Sequence, residues 1–191
     1  MPNLYIISGC NGAGKTTASF TVLPEMLGCR EFVNADEIAR GLSPFQPEKV
    51  AVEAGRIMLQ RIDELLRKKE DFAIETTLAT RSYAQTIKKA RESGYNVTLV
   101  YFWLASPELA IQRVKNRVAE GGHNIPEDVI RRRYKKGVKN LFELFIPICD
   151  YWIVIDNSQT PYNLVAEGQE DQELKIQNQT IWDKLRTLSH E

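Results

Sequence analysis

Gly9-Cys10-Asn11-Gly12-Ala13-Gly14-Lys15-Thr16-Thr17 matches G-x-x-x-x-G-K-S/T and stands directly behind the apolar run Leu4-Tyr5-Ile6-Ile7. The run predicts a buried strand and the stretch from Thr16 to Met26 predicts a helix, which is the strand–loop–helix context that a phosphate-binding P-loop needs. Its glycines let successive backbone N–H groups turn inward around phosphate oxygens, and the helix N-terminus adds partial positive charge. Gly9, Asn11, Gly12, Ala13, Gly14, Lys15, Thr16 and Thr17 are therefore the candidate nucleotide-binding residues. Lys15 would meet the terminal phosphates, and the Thr16 hydroxyl would hold Mg²⁺. The alternative, a Gly-rich surface turn, leaves the flanking strand and helix unexplained.

Outward from the loop, short apolar runs alternate with helical patterns, which predicts a three-layer α/β domain with a five-stranded, mostly parallel sheet. The strand candidates are 4–7, 31–34, 72–74, 97–104 and 151–155. The fourth is almost entirely apolar or β-branched, as expected of a parallel strand covered on both faces. Residues 1–191 read as one domain without repeat, linker or low-complexity segment. Residues 159–191 read as a C-terminal extension in which 163–166 and 173–177 pair as a hairpin and Ile181 to Leu188 form a short helix.

Basic and acidic residues balance at 25 each, so attraction to a membrane or nucleic acid would need a local patch. The longest apolar run, around Val97 to Ala105, is far short of the ~20 residues that span a bilayer. Three widely spaced cysteines, Cys10, Cys29 and Cys149, suit neither a disulfide framework nor a zinc site. They imply a reducing, cytoplasmic setting.

Two carboxylates fall at predicted strand ends, the edge where α/β proteins bind ligands. Asp36 either acts on an acceptor hydroxyl or caps the helix that begins near Glu37. Glu75 takes the place of a Walker B acid that orders Mg²⁺ through water. On the predicted helix from Glu48 to about Lys69, Glu53 and Arg56 should pair, as a solvated ion pair or a substrate contact. A helix opened by Ser106-Pro107 carries Arg113 and Arg117 one turn apart. A second, opened by Pro126-Glu127-Asp128, carries Arg131, Arg132 and Arg133 beside a buried stripe of Ile130, Tyr134, Val138, Leu141 and Phe145. Arg132 should point most directly away from that stripe, and which of the three reaches a phosphate stays open. The break Gly121-Gly122 between the clusters fits a mobile lid whose arginines converge on phosphate when it moves, or else a solvated basic face. His123, with no identifiable partner, reads as a hinge.

Taken in order, the P-loop, Asn34-Ala35-Asp36, Glu75-Thr76-Thr77-Leu78, Gly94-Tyr95, Arg113 to Arg117, Gly121-Gly122-His123 and Arg131 to Tyr134 resemble a zeta-toxin-type P-loop kinase over about residues 4–158. Zeta toxins use ATP and Mg²⁺ to phosphorylate the sugar 3′-hydroxyl of UDP-N-acetylglucosamine. The resemblance implies that fold and reaction, a possible antitoxin partner, and these roles: Lys15 and Thr16 on phosphate and metal, Asp36 as base, Glu75 and Thr77 at the site floor, and Arg117 with the arginines at 131–133 as the phosphate clamp. Glu53 and Arg81 join Asp36, Glu75 and Thr77 as candidate substrate-binding residues. The family's acid lies in a D-x-F-R-like context, whereas this chain reads Asn34-Ala35-Asp36-Glu37-Ile38. The alternatives are a nucleotide-dependent switch or ATPase without an acceptor, and a nucleic-acid 5′-end kinase, for which Arg131 to Lys136 would have to begin a basic channel. No N-K-x-D guanine-reading segment occurs, which counts against a GTPase switch.

Overall fold

The computed structural model describes every residue except His123, Asp171 and Glu191, so the hinge expected at His123 lies outside the described residues. β1 (Asn3–Gly9) leads through the P-loop to α1 (Lys15–Thr21). β2 (Phe32–Val33), α2 (Ala35–Leu42), α3 (Ala51–Lys68), β3 (Phe72–Thr76), α4 (Ser82–Glu92) and β4 (Asn96–Trp103) follow. Then come α5 (Pro107–Ala119), α6 (Glu127–Asn140), β5 (Tyr151–Asp156), β6 (Asn163–Gln169), β7 (Lys175–Ile176) and α7 (Gln179–Ser189).

The strands form one sheet in the order β2-β3-β1-β4-β5-β6-β7, with β2 through β5 and β1 parallel and the last two antiparallel. The chain lays β2 and β3 to one side of β1 and then crosses to the other side for β4. This reversal is the switch point where open parallel sheets bind ligands beyond the carboxyl ends of their strands, and the P-loop opens there. Leu4, Ile6 and Ile7 of β1 are at most 2% exposed and Tyr5 among them 9%, so both faces of the sheet are covered by helices, as its unbroken apolar strands require.

The five predicted strands are all present, and the count is corrected to seven because the C-terminal hairpin joins the sheet. Val165 and Ala166 of β6 are fully buried, which adds apolar burial to the pairing with β5. Trp152 on β5 stacks on Trp182 of α7 at 5.5 Å between ring centroids and 8° between planes, and Phe142 meets Trp182 edge-on. These contacts bind the extension to the core. Gly168 leaves room for the Trp152 ring, since a Cβ there would lie 2.5 Å from its Cζ2. Gly168→Ala is expected to lower stability by about 1–3 kcal/mol through overpacking, read by denaturant unfolding followed through tryptophan fluorescence; an unchanged midpoint would show that the stack yields freely.

The helix expected from Thr16 to Met26 is broken, because Val22–Met26 widens into a π-helical turn. Pro24 lacks the N–H that would continue the α-helical ladder. A 3₁₀ turn at Pro47–Val50 likewise precedes α3. The buried stripe expected along α6 is present, with Ile130, Tyr134 and Val138 on α6 and Leu141 and Phe145 on the π-helical turn Leu141–Phe145 that continues it, all at 3% exposure or less. Among the described residues, no helix is long and apolar enough to cross a membrane.

Candidate active site

The P-loop closes on itself through backbone conformations that few residues adopt. Gly9 sits at φ +139°, where a Cβ would lie 2.2 Å from the carbonyl oxygen of Phe102 on β4. Gly14, at φ +83°, caps α1 in the left-handed region, which glycine enters without steric cost. Asn157, just past β5, donates from Nδ2 to the Ala13 carbonyl at 2.8 Å and so ties the loop to the far strand. Burial pushes the Cys10 thiol up to about 11, so this P-loop cysteine stays protonated and inert.

Glu75, near the end of β3 and in register with Ile7 of β1, is where the charged groups meet. Its Oε2 accepts from the Thr16 hydroxyl at 2.8 Å and from the Asn34 amide at 3.0 Å. Lys15 Nζ lies 3.6 Å from its Oε1 and donates to the Cys10 carbonyl at 3.0 Å. Both side chains of the pair are under 10% exposed. A cavity of about 300 Å³ opens above them, lined by the P-loop, Asp36, Arg113 and Arg117.

Asp36 lies in the first turn of α2. The capping role open to it belongs instead to Asn34, whose Oδ1 accepts from the backbone N–H of Asp36 at 2.8 Å and of Glu37 at 3.4 Å. That corrects the alternative in which Asp36 caps α2. The Asp36 carboxylate makes no hydrogen bond or ion pair with the described residues. It lines the P-loop cavity, a neighbouring groove of about 510 Å³ with Thr77, Arg56, Tyr83 and Arg133, and a wider cleft of about 840 Å³ with Arg40, Phe45, Arg132 and Arg133. Tyr83 keeps its phenolic proton to a higher pH than usual, first through burial and then through the charge of Asp36.

The arginine cluster separates by direction. Arg133 donates to Asn11 Oδ1 in the P-loop at 3.2 Å. Arg132 lines the cleft, while Arg131 pairs with Glu108 at the start of α5 and lines none of these cavities. Arg113, Arg117 and Arg133 already border the P-loop spaces in this conformation, which corrects the expectation that they converge only by lid movement. Glu53 and Arg81 are exposed and line none of these cavities, and Glu53 does not pair with Arg56. Arg56 faces the groove instead. Sequence reasoning assigned no role to Asn34, Tyr83 or Asn157; the available signal was Asn34 at a strand end ahead of a helix, a favoured N-cap.

A hydroxyl and a carboxylate 2.8 Å apart beside the P-loop are hard oxygen donors that fit Mg²⁺. One hydroxyl and one carboxylate supply few of the six ligands of Mg²⁺, so they suit an ion held largely by phosphate oxygens and water.

The family model for zeta toxin matches residues 1–145. The chain belongs to the zeta toxin family. An uncharacterized protein of Haemophilus influenzae, 33% identical over 127 residues, covers 66% of this chain and 88% of its own length. Among solved structures, the AvrRxo1-ORF1:AvrRxo1-ORF2 complex with sulphate ions superposes with a TM-score of 0.78 at 18% identity over 97% of this chain, which spans 63% of the length of that chain. The same pair has been solved with ATP. A protein of the PezAT toxin–antitoxin system of Streptococcus pneumoniae superposes with a TM-score of 0.65 at 18% identity, covering 100% of this chain and 85% of its own. A gluconokinase from Sinorhizobium meliloti gives 0.52 at 16% identity, covering 83% of each chain. At these identities the likeness is one of fold: this zeta toxin family member has a kinase-like nucleotide-binding fold.

Proposed function

We propose that the protein is an ATP-dependent kinase that transfers the γ-phosphoryl group to a hydroxyl of a small-molecule acceptor, with a UDP-sugar such as UDP-N-acetylglucosamine as the first candidate. The observation that carries the reading is the Asp36 carboxylate, without a hydrogen-bond or ion-pair partner among the described residues, at the junction of the P-loop cavity and the groove. A group there can touch both a terminal phosphate and an acceptor.

In this reading the P-loop amides and Lys15 hold the β- and γ-phosphates, and Arg117 and Arg133 neutralise the charge that spreads over the moving phosphoryl group. Asp36 accepts the proton of the acceptor hydroxyl. The freed oxygen forms its bond to the γ-phosphorus as the bridging P–O bond breaks, and that bond's electron pair leaves with ADP. Bound Mg²⁺, held by Thr16 and, through water, by Glu75, would supply charge neutralisation at the phosphate oxygens. Thr77, Arg56 and Tyr83 line the acceptor's side of the site. We also propose that the whole chain acts as one cytoplasmic domain and that an antitoxin protein is a partner, by analogy with the PezAT toxin–antitoxin system.

The test is ATP turnover measured alone and with a panel of hydroxyl acceptors that includes UDP-sugars and a 5′-hydroxyl oligonucleotide. Acceptor-stimulated turnover is expected with a small molecule. Equal turnover without acceptor would favour a switch or ATPase, and stimulation by the oligonucleotide alone would favour end repair. In the same assay Arg133→Ala should lose roughly tenfold or more. Arg131→Ala should stay within about threefold, because an exposed ion pair such as that with Glu108 contributes little.

A further inference from the structure

Asn34 is 5% exposed, and both ends of its amide are engaged. The oxygen accepts from the backbone of Asp36 and Glu37 in the first turn of α2, and the nitrogen donates to Glu75 Oε2 at 3.0 Å. One side chain therefore grips the turn that carries Asp36 and the carboxylate that receives Thr16 and Lys15.

The three donors to Glu75 differ in what else they face. Lys15 and Thr16 line the P-loop cavity, so phosphates entering it compete for the ammonium and the hydroxyl. Asn34 does not line that cavity; it borders the neighbouring groove instead, and its other end is fixed to backbone. It is the donor that still sets the rotation of the Glu75 carboxylate when the cavity fills. We propose that Asn34 is a positioning residue that holds Glu75 toward the cation side of the P-loop and, through the same amide, sets Asp36 relative to it. The proposal rests on the kinase reading for the roles of Glu75 and Asp36.

The competing account is that Asn34 is an N-cap and nothing more. Serine and threonine also cap helices, but neither has the amide nitrogen. Either hydroxyl is too short to reach Glu75 while it caps α2. The experiment measures how binding of a non-hydrolysable ATP analogue depends on Mg²⁺ concentration, by calorimetry, together with melting temperature and the separate kcat and KM for acceptor turnover. Groups that orient metal ligands typically account for about 10–100-fold in metal affinity, so Asn34→Ser and Asn34→Thr should each weaken apparent Mg²⁺ affinity by about that factor. Melting temperatures should stay near wild type, and kcat should fall more than acceptor KM changes. If serine lowers the melting temperature, the threonine variant, which fills more of the site and keeps a capping oxygen, decides. Wild-type Mg²⁺ dependence in the folded variants, or analogue binding that ignores Mg²⁺ in the wild type, overturns the proposal. A failed kinase reading appears differently, as wild-type protein that binds Mg²⁺ and analogue but shows no acceptor-stimulated turnover.

Discussion

Alanine in place of Lys15 is expected to abolish measurable ATP turnover and to weaken ATP binding. The ammonium is 7% exposed and is held over the loop by the Cys10 carbonyl and Glu75, so its position is set before any phosphate arrives. Opposite unit charges about 4 Å apart near a protein surface attract by about 4 kcal/mol at an effective dielectric of 20. Loss of a single preorganised group at a site of developing negative charge typically costs about 10²–10³ in kcat. The wild-type cavity also holds Glu75, Asp36 and Glu120, which would repel a triphosphate once Lys15 is gone. The substitution leaves Glu75 with two neutral donors, Thr16 and Asn34, so a stability loss of about 1–3 kcal/mol should accompany the kinetic effect. Lys15→Met, which keeps most of the side-chain volume, separates charge from packing: it should regain only the packing part of that stability and none of the turnover. Wild-type turnover in Lys15→Ala would remove the P-loop from the chemistry.

Local features were legible in the sequence where one short stretch decides them. The P-loop follows from nine consecutive residues and the strand before them, and α5 opens at Ser106 as read, its hydroxyl accepting from the Leu109 N–H at 3.2 Å. Features that depend on distant partners were not legible. Asn34 and Asp36 are both favoured caps, and only the fold shows that Asn34 spends its oxygen on α2 and its nitrogen on Glu75, 41 residues away. Arg131, Arg132 and Arg133 stand about 100° apart around a helix, so their neighbours depend on what packs beside α6 rather than on the helix itself. Glu108 draws Arg131 outward, and Asn11 accepts from Arg133. The sheet was counted two strands short because the hairpin of 163–166 and 173–177 reads as a separate extension rather than as part of the sheet; its first strand pairs with β5. Its place depends on Trp152 and Trp182 meeting across the fold.

Asp36→Asn is the substitution that separates the acceptor's chemistry from the nucleotide site. General-base effects are worth about 10²–10⁴-fold, so acceptor-dependent turnover should fall by that much with a UDP-sugar as acceptor. Folding should be almost untouched. Asn34 supplies the cap of α2, the Asp36 side chain holds no partner among the described residues, and asparagine keeps its shape. Affinity for ATP should hold or rise slightly, since the change removes a negative charge from the rim of the phosphate cavity. A loss in kcat with ATP affinity and melting temperature preserved is thus the signature of a group that acts on the acceptor. A coupled loss of kcat and ATP affinity would instead place Asp36 among the nucleotide's own contacts. Turnover within about threefold of wild type, well under the general-base range, would remove it from the mechanism. The proton acceptor would then have to be sought among the other groups of the groove, whose lining also includes the Glu75 carboxylate.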